Sequence, residues 1–546
     1  MGEITSYVTG LLLLAVPVVM LAVGVVPQRL PKTHPRGFGR LVQGAALFGV
    51  ALSLLAVVAY GLGATRHLTV LEYSLGPEAP ALALSVQVDR VTLAILTLVA
   101  LLVALVARYS IEYLAGETDH GRFFRWLSLT AGFFMFAVIA ENLVMFTVAA
   151  MLTASAINKL LTYYRFRRPA QMVAHKKLVF GRAADLCLLL ASVLIGASLG
   201  TWSFDGIAAQ VDTLSHGLPL ALHAAAWLLV FAAILKSAQF PFHPWLLQVM
   251  EAPTQVSALF HAGIVYVGAI IVLRTHELLV ADGGALIVLA VVGLMTAAIA
   301  SLAMLTQTAI KSSLAWSTAG QLGFMLLELG LGLFVLGLLH LMAHSLYKAH
   351  AFLAAGSMVD LLRAPGVSSK RQMNTFGWGG LVALSGATTF AVAALFGISL
   401  ATEPALLALG VIVSVAIAQP LLQSATLTPS WLLAVRVVPL AASIAVVYFS
   451  LHKLFEAAFG PTLGGIPSSA TPVEYTLLVA VAVVFLGLSY VQSVLLYQTH
   501  LPWIRRLYVH VYNGLYVDLP VERLVYRLWP VRFGSRELSR RRGQPD

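Results

Sequence analysis

Lys236 to Gly263 reads KSAQFPFHPWLLQVMEAPTQVSALFHAG, which sets a lysine, two histidines, a glutamate and three prolines inside a strongly apolar part of the chain. At the centre of a membrane-spanning helix a lysine costs on the order of 2.5–3.5 kcal/mol on insertion scales. A helix-end lysine reaching for the surface would be followed by a polar loop. Here SAQFPFHPWLLQVM continues largely apolar, interrupted by Pro241 and Pro244. Proline removes a helix donor and bends or stops the helix, and broken helices at membrane depth are tolerated where they line an enclosed or wet cavity. Amines taken out of water give up their protons more readily. Lys236 therefore reads as a proton relay at a helix break, with a structural ion pair as the other reading.

Other polar residues stand in similar surroundings. His261 lies on the next apolar segment, where it is either a satisfied core residue or a relay beside the break. HLMAHSLYKAHAF places His340, His344 and Lys348 at i, i+4 and i+8, one above another on a helical stripe. Two histidines at i, i+4 can bind zinc, but no acidic residue is near them in sequence, so a titratable stripe is the reading adopted. KKLVFGRAAD carries Arg182 and Asp185 at i, i+3, the spacing of a structural ion pair on one helix face. Lys159 and Lys311 complete the charges in costly positions. No metal site is expected in this chain.

The elements that must hold these residues are membrane helices. The chain has 546 residues, 59% of them hydrophobic and 10% charged, against roughly 25% charged in soluble domains. Its mean hydropathy is +0.89. Runs of about 20 apolar residues suffice to span, and about fifteen such segments can be drawn, the first near residues 8–26 and the last near 476–498. Lys and Arg collect in QRLPKTHPRGFGR, RFRRPAQMVAHKK and RAPGVSSKRQ, which places those loops and the C-terminus in the cytoplasm and the N-terminus outside. The net charge of +11 is then topology, not a nucleic-acid surface. With one cysteine, Cys187, no disulfide can form within the chain, and no P-loop, HExxH or dinucleotide fingerprint is present. The expected fold is all-α and polytopic, with a transmembrane domain over residues 1–500. A tail over 501–546 with nine arginines is either interfacial or a docking surface.

KSAQFPFHPW…APTQVSALFHAG, LTQTAIKSSLAWSTAGQLGFM and HLMAHSLYKAHAFLAAGSM resemble the antiporter-like membrane subunits shared by respiratory complex I and Mrp antiporters, over roughly residues 85–360. The resemblance implies two inverted five-helix repeats, roughly residues 123–275 and 284–423, each with a broken helix. It makes Lys236 the broken-helix lysine and His261 the relay on the next helix, with His340, His344 and Lys348 toward a second half-channel. Two departures stand out. The glutamate that pairs with the broken-helix lysine in the family's pumps is absent, its place falling near Ala150 or Met151. The second half, TFGWGGLVALSGATTFAVAALFGISLATEPALLALG, has only Glu403 as an acid.

LTASAINKLLTYYRFRRPAQMVAHKKLVFGRAADL and PFHPWLLQVMEAPTQVSALFHAGIV instead look like the DabB subunits of inorganic carbon pumps. That resemblance implies an inner-membrane subunit passing protons or sodium ions, with no cofactor of its own and no enzyme activity. Its partner would be a cytoplasmic DabA-like protein related to β-carbonic anhydrases, holding zinc and hydrating CO2. Lys159 would take over the electrostatic role of the missing glutamate. A proton-pumping subunit of a complex I-type oxidoreductase or Mrp antiporter, and a structural anchor for a cytoplasmic enzyme, are the alternatives.

Overall fold

The computed structural model describes residues 2–63, 67–73, 80–117, 119–164, 167–214, 217–356, 375–399, 403–424, 430–464, 471–493 and 501–530. The basic loop RAPGVSSKRQ and the last part of the tail lie outside them, as do Arg165 and Phe166 of the FRRP loop. All fifteen apolar segments overlap a helix. Among the described residues, ten helices are long and apolar enough to cross a membrane. The chain is an all-α polytopic membrane protein, and it forms two compact units.

The first unit comprises Met1–Asp282, Met342–Leu353 and Tyr516–Asp546. Its helices are α1 (Gly2–Val25), α2 (Arg29–Thr33), α3 (Pro35–Gly61), α4 (Arg90–Tyr113), α5 (His120–Val138), α6 (Leu143–Leu161), α7 (Arg168–Leu199), α8 (Phe204–Asp212), α9 (Leu220–Lys236), α10 (Pro244–Leu247), α11 (Thr254–Ala262), α12 (Val267–Arg274) and α13 (His276–Asp282). A 3-10 turn, Ile264–Tyr266, joins α11 to α12. The 18-residue apolar window within Thr254–Arg274 is wholly buried, so protein rather than lipid surrounds it.

Between α3 and α4 stands a small sheet that apolar run length could not signal. Strands β1 (His67–Tyr73) and β2 (Leu82–Gln87) pair antiparallel, His67 opposite Gln87, with an irregularity between Thr69 and Leu71. Its use is positional. Buried Glu141 accepts hydrogen bonds from Ser85 Oγ of β2 at 2.6 Å and from Ser203 Oγ ahead of α8. Asn142 caps α6 through Met145 N at 2.8 Å and donates to Ala83 O at 2.9 Å. Asp89 caps α4 through Thr92 N at 2.6 Å, and Arg274 at the end of α12 donates to it at 2.5 Å. The start of α4 and the end of α12 are thus tied by one ion pair, and the start of α6 is held by the neutral amide of Asn142.

The second unit comprises Gly283–Leu341 and Ala354–Leu515. It contains α14 (Gly284–Thr306), α15 (Ile310–Gly330), the first turns of α16 (Phe334–Leu353), α17 (Thr375–Leu395), α18 (Pro404–Ser424), α19 (Ser430–Leu463), α20 (Pro472–Ser493) and α21 (Pro502–Tyr512). Helices α14 and α15 pack backbone to backbone. A Cβ on Gly293 would stand 2.6 Å from Gly323 O, and one on Gly330 would stand 2.4 Å from Ala290 N. Small residues let apolar helices approach this closely where lipid gives no hydrophobic drive to pack. Leu333, Leu336, Leu406, Leu409 and Phe449 form the core of the remainder.

The tail beyond Leu501 folds into two amphipathic helices, α21 in the second unit and α22 (Asp518–Leu528) in the first. In the second unit Tyr508 donates to Thr306 O at 3.2 Å, and Gln307 donates to Tyr512 O at 3.3 Å.

Candidate ion pathway

Helix α9 ends at Lys236, whose side chain is 9% exposed. The chain leaves it through Ala238, which is fully buried with φ +49°, and then through a cis Phe240–Pro241 bond before α10 starts at Pro244. Left-handed backbone is uncommon for a residue with a Cβ, and here packing fixes it. The end of α9 also packs tightly against α12. A Cβ on Gly268 would stand 2.1 Å from Ser237 Oγ and 2.5 Å from Ala233 O. The break expected from Pro241 and Pro244 is in place, with Lys236 as the last helical residue.

Lys236 Nζ donates to Asp185 Oδ1 at 2.5 Å. The other oxygen of Asp185 accepts from Arg182 Nη1 at 2.9 Å, and Arg182 Nη2 reaches Ser155 Oγ at 2.8 Å. The i, i+3 pair read from the sequence is present, but Asp185 serves two cations and is itself 3% exposed at the side chain. Asp185 is therefore the carboxylate bound to Lys236, on α7 rather than α6. Lys159 does not take that place. It is exposed in the last turn of α6 and lines a groove with Asp119, Arg122 and Arg125. The sequence signal that could have found the pair is one buried acid and one buried lysine on neighbouring apolar helices.

The two lysines ahead of Arg182 have different partners. Lys176, with no exposed side-chain surface, donates to Asp518 at 2.5 Å, Gln248 at 3.0 Å and Glu522 at 3.3 Å. Gln248 in turn donates to Asp518 at 2.8 Å. Acids of α22 thus clamp the segment just after the helix break, a contact no sequence pattern announced. Lys177 is also buried, and its Nζ donates to Ala154 O at 3.1 Å.

His261 is fully buried, stacked on Phe352 with ring centroids 4.4 Å apart, and neither ring nitrogen has a hydrogen-bond partner among the described residues. One turn along, Tyr266 Oη lies 2.7 Å from His344 Nδ1 and 3.3 Å from His261 O. Ser345 Oγ donates to Ala262 O. The last turns of α16 therefore lie along the α11–α12 segment, with Lys348 fully buried. Sequence reading overlooked Tyr266, the hydroxyl that joins the backbone of His261 to the ring of His344.

In the second unit His340 Nδ1 lies 2.7 Å from Glu328 Oε2, both side chains being largely buried. This corrects the expectation that no acid stands near the histidines, since Glu328 ends α15 and folds back across the turn. Lys311 is half-buried in the first turn of α15. Glu403, expected to be the sole acid of its region, shares Lys453 with Glu456 at 3.3 and 2.9 Å, and His452 lies 3.8 Å from both carboxylates. No group of three or more His, Cys, Asp or Glu suited to a metal occurs among the described residues.

A family model described as NADH:quinone oxidoreductase/Mrp antiporter, TM, matches residues 140–438, and one described as complex I chain 5 N-terminus matches residues 79–124. The chain is 48% identical over 535 residues to the probable inorganic carbon transporter subunit DabB2 of Halothiobacillus neapolitanus, covering 97% of this chain and 96% of that protein. The chain belongs to the DabB subunits of the NADH:quinone oxidoreductase/Mrp antiporter family. It is an antiporter-like, ion-translocating, multi-pass membrane subunit. It is 34% identical over 50% of its length to NAD(P)H-quinone oxidoreductase chain 5 of Synechocystis, covering 40% of that protein. Among solved structures it is similar in fold to the Mrp complex from Dietzia, with a TM-score of 0.57 at 22% identity, covering 97% of this chain and 58% of that one.

Proposed function

We propose that this chain is the ion-translocating subunit of an energy-coupled inorganic carbon pump in the cell inner membrane. Proton or sodium entry through it would drive CO2 hydration by a cytoplasmic zinc protein related to β-carbonic anhydrases. The observation that carries the reading is the near full-length similarity to DabB2, joined to a buried Lys236–Asp185 pair at a helix break. In this reading the chain has no cofactor and no enzyme activity of its own. The N-terminus faces outward, the tail faces the cytoplasm, and the transmembrane domain holds inverted repeats near residues 123–275 and 284–423.

Within the first unit the pathway is Lys236, then His261, Tyr266, His344 and Lys348; within the second, His340 beside Glu328, and Lys311, are the groups that would carry the ion. A protonated Lys236 holds Asp185. Once Lys236 gives up its proton, Asp185 is left to Arg182, and the segment after the break is free to shift. Gln248 on that segment touches both Lys176 and Asp518, so α22 would carry the shift to the cytoplasmic partner.

The test is bicarbonate-dependent growth of a carbon-uptake-deficient host expressing this chain with its partner. Lys236→Ala should abolish rescue while the complex still assembles; full rescue by the assembled variant sinks the relay role. Loss of rescue on adding a protonophore separates ion coupling from a purely structural anchor. The similarity to NAD(P)H-quinone oxidoreductase chain 5 supports a second reading, a subunit of a redox pump. Co-purification with flavin and iron–sulfur subunits instead of one zinc protein would establish it.

A further inference from the structure

Beside Lys236 lies a cavity of about 40 Å³, lined among others by Ala150, Thr153, Lys177, Lys236, Trp245 and Phe260. One water needs only about 10–15 Å³ of such space, so the cavity has room for an occupant larger than one water. Its walls are rich in donors and poor in acceptors. Lys177 carries three N–H bonds, and its one hydrogen bond among the described residues goes to the carbonyl of Ala154. The indole N–H of Trp245, a residue 3% exposed, has no partner among them. Thr153 spends its hydroxyl proton on Ala149 O at 2.8 Å. At Ala150 the wall presents a methyl group.

The charges are equally one-sided. Lys236 and Arg182 already share the single carboxylate of Asp185, which leaves Lys177 buried with no ion pair of its own among the described residues. An uncompensated buried charge is expensive, and a mobile counter-ion removes that cost.

We propose that this cavity binds one small monovalent anion, bicarbonate and halide being the two sources of that chemistry. Lys177 supplies the charge, the Trp245 indole supplies a second donor, and Ala150 leaves the space. The site needs no assumption about carbon transport, and its test reads binding, so failure here leaves the proposed function untouched.

The experiment uses the full chain purified with its partner. Thermal unfolding is followed at fixed pH and ionic strength in sodium gluconate while sodium chloride, nitrate or bicarbonate replaces it. The expected result is a saturable rise in Tm with at least one small anion, as ligand linkage requires. Ala150→Glu, which builds an acid into the cavity, should remove the rise, and so should Lys177→Met. A response to bicarbonate alone makes inorganic carbon the ligand, and equal responses to bicarbonate and chloride make it a general counter-ion site; both support the proposal. No saturable rise with any of the three anions, or an unchanged rise in a folded Ala150→Glu variant, overturns it. Should Lys177→Met fail to fold, chloride-35 NMR line broadening on Ala150→Glu against the parent protein gives the same decision.

Discussion

Two charge clusters in the two units are built in opposite ways. Around Asp185 one carboxylate faces Lys236 and Arg182, with Lys177 beside the same cavity. Around Lys453 two carboxylates, Glu403 and Glu456, face one lysine and His452. The acid of the first cluster is 3% exposed, whereas Lys453 and Glu456 of the second are 37% and 31% exposed. The first is therefore short of negative charge around a carboxylate closed to solvent, its Arg182 being 44% exposed, and the second has a surplus around more open carboxylates, Glu403 at 15% and Glu456 at 31%. Ion pairs in the dry interior are costly to break on one side only, while exposed pairs contribute little. The first cluster is thus the place where moving one proton changes the most.

Breaking the buried cluster should have the largest effect. Asp185→Asn leaves Lys236 and Arg182 without their acid and should cost about 3–5 kcal/mol of stability, with carbon-dependent growth lost; denaturant unfolding in detergent and growth assays check both. Asp185→Asn combined with Lys236→Met should recover much of that stability without recovering growth, which separates folding from relay. An intermediate effect is expected for Glu328→Ala, which removes the carboxylate 2.7 Å from a largely buried His340 and should cost about 1–3 kcal/mol. Glu403→Gln should change stability by about 1 kcal/mol or less; a loss as large as that of Asp185→Asn would erase the contrast between the clusters.

A separate, pH-dependent effect lies outside the spans, at Glu277 of α13. Burial, followed by the charges of Asp205 and Asp212, pushes its carboxyl up to about 7 from 4.5. Between those values the folded state keeps a proton that the unfolded chain has released, so stability falls as pH rises from 4.5 to 7. Glu277→Gln should flatten that fall in Tm measured across the window.

The fold was largely readable because lipid leaves the chain few choices. Long apolar runs must become helices, and Pro241 and Pro244 mark the break beside Lys236. What was hidden depends on long-range pairing. Asp185 and Lys236 are 51 residues apart and Lys176 and Asp518 are 342 apart, so no periodicity links them. Glu328 and His340 are only 12 apart, yet the turn between α15 and α16 had to be placed before they could be seen to meet. Strands β1 and β2 are seven and six residues long, far short of the roughly 20 apolar residues that mark a span. Lys159 was misplaced for the converse reason, since a lysine near an apolar run sits equally well at its exposed end.

The clamp on Lys176 also sets a clock. Its acids stand 342 and 346 residues later in the chain. At about 5–20 residues per second of synthesis, Lys176 waits roughly 17–70 s before they are made. Until then the nascent protein carries an unanswered cation at the foot of α7. Helix α22 thus closes that site only late in synthesis, and a chain cut before Asp518 should lack both acids that face Lys176.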